Sequence, residues 1–283
     1  MNSAHKNFLV SAFCAVFIIP LLFSCQEDEE LSGSSASSNE QLITDEAIAD
    51  DLFEDMDEIS MEAATYSTNG RSTTRGGIAA IDCVNRSVEN GEDLSKSVTL
   101  TFGGDCEGPK GRIRTGTLLI DHSIDFNAST YTVSTSFKDF FVNGHQLEGT
   151  RTLVYSAENN KLITVKVTLT NGKVTLSDGS IITRSGNFTR IVDREKGEIT
   201  VSGTASGTNR FGVEYVSEIT TPLVYPTNCA SDGIYMPAQG IKSISRTGKA
   251  SLEIDFGDGK CDKNVTLTSK GENRTVEIKL TRE

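Results

Sequence analysis

The run Leu118-Leu119-Ile120-Asp121-His122-Ser123-Ile124-Asp125-Phe126 decides the fold class. Leu118, Ile120, His122, Ile124 and Phe126 alternate with Leu119, Asp121, Ser123 and Asp125. A period of two places the first set on one side of an extended chain, as in a strand with one buried face. The period recurs downstream in Tyr131/Val133/Phe137, Leu147/Leu153/Tyr155 and Ile163/Val165/Val167/Leu169. It continues around Ile199/Val201, Phe211/Val213/Tyr215, Leu252/Ile254/Phe256 and Val276/Ile278/Leu280. Asn143-Gly144, Asn171-Gly172 and Asp178-Gly179 supply the positive φ that two-residue hairpin turns demand, so each reads as a joint between strands. Thr and Ser fill the outward positions. Residues 76–283 therefore read as one all-β domain, an antiparallel meander of roughly ten to twelve strands curling into a sandwich or an incomplete barrel. A membrane-spanning barrel does not fit, because Gly149/Arg151 and Gly203 break the apolar faces and there is no Trp to build aromatic girdles.

Upstream of the strands the pattern changes. Ile48, Leu52, Met56 and Ile59 recur at helical spacing with Phe53 beside them, and Asp50, Asp51, Glu54, Asp57 and Glu58 take the other face. With Thr44 as cap and Asp45 and Glu46 at the positive end, an acidic amphipathic helix is expected over residues 44–64. Its stripe suits a helix laid on its own domain's core. Residues 31–39, mostly Ser, read as flexible linker, part of an acidic and Ser-rich tether over residues 25–43.

Charge is unevenly spread. Residues 25–70 hold 14 Asp and Glu and no Lys or Arg, whereas 25 acids face 26 bases from Arg71 onward. With the net negative charge at one end and no basic patch in the β-region, a nucleic-acid partner is not expected.

Residues 1–24 carry Lys6, no carboxylate, and an apolar run over residues 8–23 broken by Pro20, the layout of a secretory leader. Leu22-Phe23-Ser24-Cys25 resembles the lipobox of bacterial lipoproteins, with Phe23 larger than the residue usual there. The resemblance implies cleavage after Ser24 and lipidation of Cys25, whose acyl chains anchor the protein in a lipid bilayer. Cys25-Gln26-Glu27-Asp28-Glu29-Glu30 resembles the acidic stretch that directs Bacteroidota-type lipoproteins to the outer cell surface. That implies a surface-exposed outer-membrane lipoprotein, the alternative being a periplasm-facing one.

Four cysteines remain: Cys83, Cys106, Cys229 and Cys261. An even count outside the cytoplasm points to disulfides, with three possible pairings. Val98-Thr99-Leu100-Thr101-Phe102-Gly103-Gly104-Asp105-Cys106 parallels Leu252-Glu253-Ile254-Asp255-Phe256-Gly257-Asp258-Gly259-Lys260-Cys261, each being strand, Phe-Gly, tight turn, Cys. Each such Cys has another upstream. If the two modules are built alike, the pairs are Cys83 with Cys106 and Cys229 with Cys261. Zinc is the competing reading, but no Cys-x-x-Cys pair is present. The Phe-Gly-turn-Cys module followed by Gly111-Arg112-Ile113-Arg114-Thr115-Gly116 is similar to segments of uncharacterised Bacteroidota lipoproteins, a resemblance that implies an address and no chemistry.

Signs of catalysis are sparse. His122 lies on the apolar face of its strand and His145 follows the Asn143-Gly144 turn, where it should be exposed. No Gly-x-Ser-x-Gly elbow or His-Glu-x-x-His helix is present. Asp121, Asp125 and Glu148 are candidates for a carboxylate pair, and Asp255, Asp258 and Asp262 surround a Gly-rich turn that could offer oxygen ligands to calcium. Lys260 intrudes there, so no metal and no cofactor is expected. The reading is a membrane-anchored surface lipoprotein with a non-enzymatic binding or interaction role toward an unknown protein or glycan partner. The alternative is a surface hydrolase with glycosidase-like carboxylate catalysis on a β scaffold.

Overall fold

The computed structural model describes residues 33–65, 83–91, 94–108, 111–231 and 234–278. The leader, Cys25, the acidic export stretch and the last five residues lie outside them. Helix α1, Gly33–Thr65, is followed by β1 (Val84–Asn90), β2 (Lys96–Glu107), β3 (Ile113–Asp125), β4 (Thr130–Val142), β5 (His145–Ala157), β6 (Leu162–Thr175) and β7 (Ile181–Asp193). β8 (Glu198–Thr208), β9 (Glu214–Pro226), the short α2 (Thr227–Ser231), β10 (Gln239–Ser245), β11 (Leu252–Asp258), β12 (Asn264–Ser269) and β13 (Glu272–Glu277) complete the chain. All thirteen strands form one antiparallel sheet in sequence order.

The sheet is open. β1 and β13 are its two edges, and among the described residues no second sheet faces it. The curl into a sandwich or incomplete barrel that the alternation suggests is not what forms, and the reason is α1. An apolar sheet face must be covered, and a helix can cover it as well as another sheet does. Here 33 residues of helix, about 50 Å at 1.5 Å per residue, lie crosswise under thirteen strands spaced about 4.8 Å. The C-terminal half of α1, from Ala49 to Ala63, packs on Val98 and Leu100 of β2, Leu118 and Ile120 of β3, Phe140 of β4 and Leu147 of β5. Its N-terminal part packs Leu42 and Ile43 on Tyr215, Ile244, Leu252, Ile254, Val265 and Leu267 of β9–β12. The apolar residues of the C-terminal half thus meet the early strands and those of the N-terminal part the late ones.

That packing also explains where α1 begins. Gly33 lies inside the Ser-rich stretch read as linker, and Thr44 is not a cap: its Oγ1 donates to the Glu40 carbonyl at 2.8 Å, one turn back. Composition underestimated the helix because burial of Leu42 and Ile43, at 0% and 5% exposure, stabilises its first half.

Asn143-Gly144 joins β4 to β5 and Asp178-Gly179 lies between β6 and β7, but Asn171-Gly172 is interior to β6. Asn171 has φ +51°, and the register with β7 shifts between Leu169 and Gly172. The left-handed residue serves a bulge in a continuous strand, which the dipeptide alone does not distinguish from a hairpin turn.

The outward face is largely polar, though Leu119, Ile191 and Val216 are exposed on it. One row of register partners runs Ser97, Asp121, Ser134, Thr152, Thr168, Asn187 and Thr204 over β2–β8. Within it Ser97 donates to Asp121 at 2.5 Å and Thr168 to Asn187 at 3.1 Å. This face needs no covering layer. The edge strands are short, seven and six residues, and carry Arg86, Glu89, Glu272, Arg274 and Glu277, which discourages edge-to-edge pairing.

Disulfides join Cys83 to Cys106 beside β2 and Cys229 to Cys261 between α2 and the end of β11, with Cα separations of 5.6 and 5.2 Å. Each closes a chain loop of 23 or 32 residues, worth about 3 kcal/mol in the loop-entropy model. Reduction is therefore expected to lower the urea midpoint of the intact chain, with Cys106→Ala and Cys261→Ala each reproducing part of the loss. Identical unfolding curves with and without reductant would contradict this.

Candidate functional site

The acids of α1 are not a solvated face. Among the described residues eight of them pair with eight cations of the β-region, along the length of the helix. Asp51 pairs with Arg112, and Asp55 pairs with Arg112 at 3.5 Å and Arg114 at 2.6 Å. Glu46 takes Arg184 at 2.6 Å and Lys242 at 3.4 Å, and Asp50 shares both cations. Asp57 accepts two bonds from Arg151, at 2.5 and 2.8 Å, and one from Arg190, which also holds Glu54. Asp45 takes Arg210 at 2.6 Å, and Glu40 takes Arg274.

The spacing arranges these as two rails. Asp51 and Asp55, four apart, flank the apolar stripe on one side. Glu46, Asp50, Glu54 and Asp57 flank it on the other, so each row faces its own row of cations on the sheet. Arg114 and Arg184 are each 1% exposed. Charges this deep are tolerated only because each is matched, and replacing such a pair with apolar residues is often neutral. Their effect is to fix the axial position and rotation of α1 on a face that is otherwise a sliding apolar contact. Burial alone would raise the Glu46 carboxyl, but Lys242 and Arg184 reverse this and hold it down to about 2.

Where the second rail passes β9–β11, a cleft of about 70 Å³ lies between helix and sheet. Leu223, Tyr225, Met236, Ile254 and Phe256 line it together with the exposed Tyr235, and Glu46, Asp50, Glu54 and Lys242 give its polar side. The carboxylates differ in access: the Glu46 side chain is 2% exposed, Asp50 34% and Glu54 38%. Burial raises the Glu54 carboxyl, Arg190 opposes this, and the neighbouring Asp50 and Asp57 add to the rise. Burial likewise keeps the Tyr225 phenol protonated.

The residues singled out by sequence do not gather here. Asp121 is on the outward face, Asp125 caps the β3–β4 turn by accepting from Asn127 and Ala128, and Glu148 pairs with Lys173. Asp255 accepts from the Gly257 amide, Asp258 pairs with Lys260 and Asp262 accepts from Asn264. These are three separate turn contacts. Among the described residues no group of three His, Cys, Asp or Glu is placed to hold a metal ion.

His122 is 6% exposed and packs edge-on against Tyr131 at 5.7 Å, with no hydrogen-bond partner for either ring nitrogen among the described residues. Burial, with Lys96 nearby, pushes its pKa down and favours the neutral ring. His145 is half-buried instead of exposed, and its Nδ1 accepts from the Ser177 amide at 3.2 Å.

Sequence reasoning missed the arginines opposite α1. A signal existed: Arg151 stands between Leu147 and Leu153, and Arg184 between Ile182 and Phe188, each in phase with an inward set. A charge on a buried face calls for a counter-charge, and α1 is the acid-rich segment of the chain. Among the described residues no helix is long and apolar enough to cross a membrane. Comparison with known proteins finds no matching family, no matching curated protein and no matching solved structure.

Proposed function

We propose that this protein is a lipoprotein held to a membrane outside the cytoplasm through Cys25, and that it acts as a binding module in which α1 joins the anchor to the sheet. The supporting observation is the position of α1. It begins at Gly33, eight residues after Cys25, and is tied to the sheet by ion pairs from Glu40 to Asp57. Eight residues reach at most about 28 Å, so an acyl anchor at Cys25 holds the sheet close to the bilayer. A tether attached to an unpaired helix would pull that helix free, whereas here the load passes into the whole sheet. Two disulfides suit an oxidising compartment.

A binding role fits the cleft better than hydrolysis of a glycan, because its carboxylates are engaged by cations instead of standing as a free acid and base.

Two experiments test the reading. Cys25→Ser should abolish incorporation of labelled palmitate and release the chain from the membrane fraction. A variant that still carries palmitate and sediments with membranes would overturn the anchor. Protease added to intact cells should remove the β-domain, while replacing the four acids at residues 27–30 by Ala should protect it. Equal sensitivity of the two proteins would leave those acids without a sorting role and favour the periplasm-facing alternative.

A further inference from the structure

We propose that the outward face of the sheet binds a neutral saccharide, in a concavity that crosses the ends of β7–β10 on the side opposite α1. Hydroxyl side chains and the Glu214 carboxylate hold the hydroxyls of the sugar, and Val216 lies under the C–H face of its ring. The proposal rests on the binding-module reading and names the ligand class of that module.

The strands set the lining. Thr183 of β7, Ser206 and Thr208 of β8, Glu214 and Val216 of β9 and Ser245 of β10 line a concavity of about 580 Å³. Register places them on one face: Thr208 lies between Thr183 and Glu214, and Val216 between Ser206 and Ser245. Tyr215 and Arg246, the alternate residues, turn the other way, toward Arg184 and toward Asn39 of α1. The volume falls in the range of about 300–1,000 Å³ usual for small-molecule sites.

The open groups set the chemistry. In the row through Ser97, Ser134 and Thr168 each of these hydroxyls bonds a register neighbour. The hydroxyls of Ser206 and Ser245 and the carboxylate of Glu214 have no partner among the described residues. The Thr208 amide donates to Thr183 Oγ1 at 2.9 Å and the two threonine hydroxyls share one bond at 2.8 Å, so one hydroxyl hydrogen of the pair is left over. A hydroxyl both donates and accepts, as each sugar hydroxyl does, and a carboxylate accepts from two adjacent ones. Val216, 55% exposed, offers the apolar contact that the C–H face of a ring needs. Asn209 accepts from the Phe211 and Val213 amides at 3.0 and 2.9 Å, which stiffens the turn joining Thr208 to Glu214 and presents Phe211, 67% exposed, as a rigid aromatic anchor. An anion finds Glu214 here and no cation, because the Arg246 guanidinium is on the inward side. One carboxylate without a second leaves no acid and base pair, so the sugar is held and not hydrolysed.

Amide chemical-shift titration of the intact purified chain with maltose, cellobiose and N,N′-diacetylchitobiose tests the assignment. At least one is expected to saturate with a Kd of about 1–10 mM, moving the amides of residues 206–208 and 214–216 and of Ser245. Ser206→Ile, which removes a hydroxyl and fills the concavity with a residue suited to a strand, should abolish binding. Glu214→Gln should weaken it at least about fivefold, the difference between a charged and a neutral acceptor. Thr152→Val, on the same face over β5, should leave it unchanged. Variants are compared at an unchanged thermal midpoint; should Ser206→Ile unfold, the exposed Glu214→Gln and Thr152→Val decide. Binding of none of the three sugars up to about 50 mM overturns the proposal, as do shifts confined to other strands or binding unchanged in a folded Ser206→Ile or Glu214→Gln protein. The methyl glycoside of the sugar that binds separates the two sources of such a group: equal binding assigns the site to a glycosidically linked sugar, loss of binding to a free reducing one, and either upholds the chemistry. Because the Cys25→Ser release experiment involves no sugar, failure of the ligand class and failure of the anchored-module reading are distinguishable.

Discussion

Replacing Arg184 by Ala should destabilise the protein by about 3–5 kcal/mol, the usual cost of stripping one partner from a buried ion pair. Arg184 is 1% exposed, donates to Glu46 at 2.6 Å and to Asp50 and the Tyr215 hydroxyl at 3.1 Å, and lies 5.7 Å from the Phe188 ring. Its removal leaves Glu46 with Lys242 at 3.4 Å and the Ser217 hydroxyl, in a site 2% open to water. Against a typical total stability of about 5–15 kcal/mol, a loss of this size threatens the fold, and it should lower the thermal midpoint by roughly 10 °C. The double variant Arg184→Ala/Glu46→Gln should lose less than the sum of the single variants by more than about 1 kcal/mol, since Glu46→Gln removes the charge that Arg184→Ala orphans. Additive losses, or an Arg184→Ala cost below about 1 kcal/mol, would show that the rails do not couple α1 to the sheet.

The same rails show what the sequence disclosed and what it hid. Strands were legible where one face alternated, as at Leu118 to His122, because period-two burial is a local property. The Phe-Gly-turn-Cys repeat was legible for the same reason: the bridged cysteines are near neighbours in the meander. The alternation overran the strands: Ile124 and Phe126, expected on the buried face, are exposed with Phe126 past the end of β3, and Phe211 and Val213 lie in the β8–β9 turn because a turn needs no alternating burial. The early start of α1 was hidden, since Leu42 and Ile43 gain their burial from strands about 200 residues further on. The carboxylates of α1 looked like a wet face because helical spacing reveals only the apolar stripe. Whether its flanks meet water or arginine depends on a partner that lies, for Arg184 and Glu46, 138 residues away. The openness of the sheet was hidden by the same circumstance. Alternation states that one face is buried and cannot say whether a second sheet or a crosswise helix does the burying.

The pH dependence of stability follows from two carboxylates of α1 whose shifts oppose each other. Glu46 falls from 4.5 in the unfolded chain to about 2 in the fold. A depressed carboxyl contributes stability that is fully present above the unfolded value and is lost as pH falls through the folded one. The window for Glu46 is therefore about pH 4.5 to 2, and a shift of this size corresponds to about 3 kcal/mol. Glu54 is raised above 4.5, so its ionisation costs stability at neutral pH, a cost relieved as pH falls through the raised value. Urea unfolding across the acid range should thus show stability level or slightly rising down to about pH 5, then a steep loss towards pH 2. Glu54→Gln should remove the rise and leave the loss. Glu46→Gln should lower stability at neutral pH yet flatten the acid limb, because the group that had to be protonated is gone. Wild-type stability that stays constant from about pH 5 to 2 would mean that Glu46 is not held in its charged form by Lys242 and Arg184, and the contact that fixes α1 across β7 and β10 would have to be assigned to apolar packing alone.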